Sequence, residues 1–193
     1  PETRAVYFIE VNPRIQVEHT VTEEITGLDI VRAQIRIAEG AALGSEASGV
    51  PGQSSIRMTG FAIQCRVTAE SPADGFAPSH GRITHAALPA GPGVRVDGAS
   101  VWPGAVVSPA FDSLLAKIIV RGADRNEAVE RMRRALDETR IGGIETNIGF
   151  LRQVLSEPAF LHSTVHTTWV DELHHRPDSS ATRAAMEDRP LAF

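Results

Sequence analysis

The chain opens on a short apolar run, Val6 to Ile9, that gives way to alternation. Glu10, Asn12, Arg14, Gln16 and Glu18 fall on one set of positions, and Val11, Pro13, Ile15 and Val17 on the other. Period two predicts an extended strand with a polar row on one face and a packed row on the other. From Val21 to Glu39 the pattern turns helical, with a break at Gly27. Asp29 stands where an N-cap would open the second helix, and Val31, Ile35 and Ala38 would form its buried stripe. Gly, Ser, Ala and Pro dominate 44–55, which reads as a loop between domains. Beyond it, 57–122 reads as several strands broken by Gly-Pro turns, notably Ala90-Gly91-Pro92-Gly93. There Phe61, Ile63, Cys65 and Val67 alternate with Ala62, Gln64, Arg66 and Thr68, so a strand would bury the first set and present the second. Asp124 with Glu127 forms a capping box that opens a helix on Ala128, Val129, Met132, Ala135 and Leu136. A further helix runs from about Asn147 to Leu155 and stops before Pro158. From His174 on the chain is polar and aperiodic, which predicts a linker or disordered tail. There are no internal repeats. Helices flanking a β-rich middle make an α+β chain.

The polar row is the densest chemistry in the sequence. Carboxylates, amides and guanidinium groups are costly to bury unpaired. Surface ion pairs contribute little, so the row reads as an active-site strand rather than a structural one. Glu10 and Asn12 are oxygen ligands two residues apart, suited to magnesium or manganese. Arg14 offers a planar fork for an oxyanion such as bicarbonate or phosphate. Glu18 could act as a general base if its surroundings raised its pKa. Arg66 should point away from the packed face of its strand, where a solvated arginine is the commoner case. Asp112, between Phe111 and the apolar run Leu114 to Val120, suits a turn cap or a ligand contact equally.

Composition narrows the classes. At 193 residues the chain is long enough for a core, and 42% hydrophobic content is ordinary for a globular protein. A formal net charge of -5 argues against a nucleic-acid partner. The single cysteine, Cys65, excludes an internal disulfide and should be a buried, inert thiol. No apolar run reaches the length of a membrane span and no signal peptide precedes the first strand, so the expected location is cytoplasmic. His162, His166, His174 and His175 include a His-x-x-x-His spacing. No cysteine lies near and the stretch lacks a helical pattern, so exposed histidines are expected rather than zinc. Arg131, Arg133, Arg134 and Arg140, mixed with Glu130, Asp137 and Glu138, read as a solvated helix face.

Several blocks in order carry a resemblance. FIEVNPRIQVEHTVTEEITGLDIVRAQIRIAEG is similar to the last part of the ATP-grasp core of biotin carboxylases. GFAIQCRVTAESP, GFAPSHGRI, GPGVRVDG, SPAFDSLLAKIIV and TNIGFL resemble their C-terminal domain. The Asn-Pro-Arg form and the TVTEEITG continuation are most similar to the biotin carboxylase domain of pyruvate carboxylases. The implied layout is an ATP-grasp remnant over 1–43, a loop over 44–55, a C-terminal domain over 56–173 and a polar tail over 174–193. The implied cofactors are ATP with Mg2+ or Mn2+, and biotin attached to a carrier domain. Position by position, the resemblance gives metal binding to Glu10 and Asn12. Bicarbonate contact falls to Arg14, Gln16, Val17 and Glu18, with Glu18 the base that deprotonates bicarbonate for attack on the terminal phosphate of ATP. Arg66 is given the ureido oxygen of biotin, and Asp112 a place beside that arginine in the biotin site.

A second metal-binding glutamate, the glycine-rich lid, the adenine pocket and the nucleotide-site lysines would lie upstream of Pro1. The chain is thus expected to carry half of an active site, to be inactive alone, and to need an N-terminal half. The full enzyme is expected to be a homo-oligomer. Other readings are the biotin carboxylase of an acyl-CoA or urea carboxylase, another ATP-grasp ligase of the carbamoyl-phosphate type, and a non-catalytic dimerisation or regulatory module.

Overall fold

A computed structural model describes residues 6–98 and 100–175; most of the expected tail therefore lies outside the described residues. The chain divides between Met58 and Thr59 into two compact units.

In the first unit the expected strand does not form. Residues 6–13 form no strand or helix, and their apolar side chains are exposed, from 68% at Val11 to 97% at Val6. Strands need hydrogen-bonding neighbours and a covering layer, and the described residues of this unit supply neither. At Arg14 the chain bends, its N–H donating to the Asn12 carbonyl at 2.8 Å. Alternation in burial then holds over five residues: Ile15 and Val17 are half-buried, whereas Arg14, Gln16 and Glu18 are exposed.

Helix α1 (His19–Thr26) ends at Gly27, whose φ of 72° is left-handed and whose N–H returns to the Glu23 carbonyl. Helix α2 (Ile30–Ala38) opens at Asp29, whose carboxylate accepts the Arg32 N–H at 2.8 Å. The buried Glu23 carboxylate also accepts the Ile30 N–H, at 2.9 Å. The stripe expected on α2 is not buried. Val31, Ile35 and Ala38 are exposed, and Ala33 is the buried residue. A helix face is buried only where another element covers it, and what packs on α2 within the unit is the short turn Glu46–Ser48.

The second unit is built on strands β1 (Phe61–Thr68), β2 (Glu70–Ser71), β3 (Ala77–Pro78), β4 (Gly81–Arg82), β5 (His85–Ala87), β6 (Val94–Asp97), β7 (Val106–Val107), β8 (Leu114–Gly122) and β9 (Arg140–Gly142). Its helices are α3 (Arg125–Glu138), α4 (Ile148–Ser156), α5 (Pro158–Leu161) and α6 (Trp169–His174). The central sheet is antiparallel in the order β1-β8-β6, and β2-β3, β4-β7 and β5-β9 form small ladders around it. Cys65 lies opposite Ile118 and Val96 opposite Ile118 on the other side, so one face of the sheet is apolar. Helix α3 covers that face, and Val67, Ile118 and Val120 meet Ala128, Met132, Ala135 and Leu136 in one core.

Strand β1 follows the expected alternation at Cys65, Arg66 and Val67 but not at its start, where Phe61 is exposed and Ala62 buried. Phe61 pairs with Gly122, which has no side chain to continue the core face. Gly122 is itself required by close approach, since a Cβ there would lie 2.5 Å from the Ala128 nitrogen at the start of α3. The α3 cap forms with its return bond displaced by one residue: Asp124 accepts the Glu127 N–H at 2.9 Å, and Glu127 accepts the N–H of Ala123, just before the N-cap, at 2.6 Å. On its outer side Arg131, Arg133 and Arg134 pair with Glu127, Glu130 and Glu138, whereas Arg140, expected on the same face, lies on β9. No helix among the described residues is long and apolar enough to cross a membrane.

Candidate functional site

The first group of site residues lies in the first unit. Glu10 and Asn12 are exposed on the segment before the bend. Their oxygens suit a hard cation, but they are two donors of the roughly six that magnesium takes. Among the described residues no group of three His, Cys, Asp or Glu could hold a metal. The two would therefore supply part of a shell that water and phosphate oxygens complete. After the bend, Arg14, Gln16 and Glu18 are exposed, alternating with half-buried Ile15 and Val17. Arg14 donates from Nη1 to the Ile15 carbonyl at 3.3 Å. The Gln16 carbonyl accepts the His19 N–H at 3.2 Å, which turns the chain into α1. Glu18 is the N-cap residue of α1, yet its side chain makes no capping bond. The five-residue polar row is thus two pieces, hinged at Arg14, not one straight strand face.

The second group lies in the second unit. Arg66 is exposed on the outward face of β1, as the alternation requires. Strand register sets it opposite Lys117, which in turn is opposite Asp97. Arg95 holds Asp97 through two bonds of 2.8 and 2.7 Å, and Lys117 stands 3.5 Å from the same carboxylate. The Arg95 hydrogen bond, with the nearby charges of Arg95 and Lys117, keeps the Asp97 carboxyl below the usual range against partial burial. Sequence reading singled out none of Lys117, Asp97 or Arg95. They come together only through the pairing of β1, β8 and β6, which no spacing in the chain reveals.

Asp112 is exposed just before β8, and its Oδ1 accepts the Leu114 N–H at 2.7 Å. That bond caps the turn. The next residue, Ser113, is tied twice to the chain just beyond β1: its carbonyl accepts the Ala69 N–H at 2.8 Å, and its hydroxyl donates to Glu70 at 2.6 Å. Glu70 also accepts from the Thr68 hydroxyl at 2.9 Å. Asn147, buried at the start of α4, bonds to the backbone of Arg66 and Thr68. Neither Glu70 nor Asn147 stood out in the sequence, although both fall inside the quoted blocks.

Two other expectations meet the structure here. Cys65 is buried, and burial pushes its thiol up to about 12. His162, His166 and His175 are exposed, but His174 is not. Helix α6 turns Trp169 and Leu173 inward, and the His174 ring packs 4.9 Å from Phe76 and 6.3 Å from Phe150.

Two family models match the chain. Residues 1–46 match the carbamoyl-phosphate synthase L chain, ATP binding domain. Over 166 residues the chain is 52% identical to pyruvate carboxylase 1 of Caenorhabditis elegans, an alignment covering 86% of the chain and 14% of that protein. The pyruvate carboxylase of Rhizobium etli superposes with a TM-score of 0.86 at 48% identity, over 92% of this chain and 17% of that one. The biotin carboxylase domain of Hydrogenobacter thermophilus 2-oxoglutarate carboxylase, solved as a dimer with MgADP and bicarbonate, superposes with a TM-score of 0.81 at 44% identity. That match covers 88% of this chain and 36% of the other. The chain therefore spans a small part of the length of these relatives. Residues 64–172, more than half of the 193, match the biotin carboxylase C-terminal domain, and the chain belongs to that family.

Proposed function

We propose that this chain is the C-terminal part of a biotin carboxylase module, most like that of pyruvate carboxylase. The whole module would use ATP and bicarbonate to carboxylate biotin on a carrier domain. The observation that carries this reading is the exposed set Arg14, Gln16 and Glu18, anchored by half-buried Ile15 and Val17 at the entry to α1. A fork, an amide and a carboxylate exposed within five residues suit a small planar anion that must lose a proton. Arg14 would hold bicarbonate through paired N–H bonds. Gln16 and the backbone of Val17 would orient it. Glu18 would take its proton as it attacks the terminal phosphate of ATP. Glu10 and Asn12 would hold Mg2+ or Mn2+, which when bound offsets charge on the phosphates. Arg66 would donate to the ureido oxygen of biotin as negative charge develops there. Asp112, whose Oδ1 caps its own turn, would join Arg66 in the biotin site.

A segment covering 14% of a relative's length is expected to be inactive alone. The N-terminal part of the module, the carrier domain and a homo-oligomeric partner complete the proposal, together with a cytoplasmic location, which a buried free thiol fits. The match of 1–46 would also suit a carbamoyl-phosphate-type ligase. Arg66 and the fold around it argue for biotin instead.

The test uses a complete module containing this segment, with biotin carboxylation and biotin-independent, bicarbonate-dependent ATP cleavage measured on each preparation. Glu18→Gln should lower both rates by ~10²–10⁴-fold, as loss of a general base does. Arg66→Gln should depress carboxylation and leave ATP cleavage near the parent rate. If both rates fall together in the Arg66 variant, the biotin assignment is wrong; if both survive Glu18→Gln, so is the bicarbonate one.

A further inference from the structure

We infer that Asn147 is a positioning residue for Arg66. The inference rests on the proposed contact of Arg66 with biotin. Strand β1 is an edge of the β1-β8-β6 sheet. Residues i and i+2 of a strand present their backbone groups to the same side. On β1, Asn147 takes up such a pair. Its side-chain NH2 donates to the Arg66 carbonyl at 3.0 Å, and its side-chain oxygen accepts the Thr68 N–H at 3.0 Å. Its backbone N–H donates to the Thr68 carbonyl at 3.2 Å. One asparagine thus bonds to β1 as a neighbouring strand would.

The placement of this clamp is unusual in two ways. Asn147 is the N-cap residue of α4, where an asparagine ordinarily caps its own helix, yet its side chain makes no capping bond. The clamp also falls where β1 loses register with β8, between Val67 and Thr68. Irregularities of this kind re-aim side chains. Asn147 is 8% exposed and is followed by the buried Ile148 and Phe150, so the clamp is anchored in the core. It pins the peptide that carries Arg66 next to the one irregular point in that strand.

Asn147→Asp tests this with a near-isosteric change. It keeps the acceptor for Thr68 but sets a carboxylate oxygen against the Arg66 carbonyl. In a complete module, biotin carboxylation should fall by ~10-fold or more, since a shift of about 1 Å can cost ~10²-fold. Biotin-independent ATP cleavage should stay within about twofold. Added to Arg66→Gln, Asn147→Asp should lower carboxylation by less than about twofold further, because residues acting through one another are not additive. Asn147→Ser, too short to reach both groups, serves the same test should the aspartate variant not fold. Equal loss of both rates, or full additivity with Arg66→Gln, would overturn the inference and leave Asn147 a structural residue. If Arg66→Gln itself spares carboxylation, the biotin assignment fails first. A loss in Arg66→Gln without one in Asn147→Asp sinks the positioning role alone.

Discussion

Glu70 should be a larger determinant of stability than its half-exposed place suggests. Its two carboxylate oxygens accept hydroxyls from Thr68, on one side of the β1 exit, and from Ser113, on the approach to β8. The Ser113 bond is 2.6 Å, within the short range of charge-assisted O–H···O⁻ bonds, and spans 43 residues of chain. Hydrogen bonds to charged groups contribute ~1.5–3 kcal/mol, and partial exposure places this one near the lower end. The Thr68 bond is local and contributes less. Glu70→Ala should therefore cost ~2–3 kcal/mol, Ser113→Ala ~1.5 kcal/mol, and the double variant less than their sum by ~1 kcal/mol. Urea unfolding followed by tryptophan fluorescence suits the purpose, because Trp102 and the buried Trp169 both belong to the second unit. A coupling below ~0.5 kcal/mol in the double-mutant cycle would refute the tether. The same loss should free the turn that bears Asp112.

Cys65 gives a pH signature. Its folded pKa is raised by burial to about 12, above the unfolded value of ~8.5. Its contribution to stability is fully present below pH ~8.5 and is lost as pH rises toward 12, at up to ~1.4 kcal/mol per unit. Between pH 8.5 and 10 the parent should lose ~2 kcal/mol more than Cys65→Ala in urea unfolding, and identical declines would count against the buried-thiol account. In a complete module, Arg14→Lys should cut bicarbonate-dependent ATP cleavage by ~10-fold or more, because an ammonium cannot reproduce a two-point fork. Near-parental rates with lysine would remove Arg14 from the anion site.

The local signals in the sequence were reliable where one segment contains the whole cause. The Asp124–Glu127 box, the Asp29 cap, the Gly27 break and the five apolar positions of α3 are each decided within a turn or two of chain. The residue types and spacing of 10–18 were legible too, but the strand expected to carry them does not form. Burial was not legible in the first unit. Val11, Val31 and Ile35 have the right pattern for a packed face, but a pattern says only which residues would be buried if a layer covered them. The bend at Arg14 likewise arises from a backbone bond between neighbours that no periodicity announces.

Long-range pairing was legible least. The Arg66, Lys117 and Asp97 row depends on strand register, the Glu70 tether joins residues 43 positions apart, and the Asn147 clamp closes over 79 and 81. The sequence by itself determined helices α1 to α4, strand β1 and the outward direction of Arg66, because these follow from local propensity and period. Only the tertiary structure decided which side chains hold Arg66 and the Asp112 turn in place, because each of those bonds joins segments that meet only after the sheet has chosen its register.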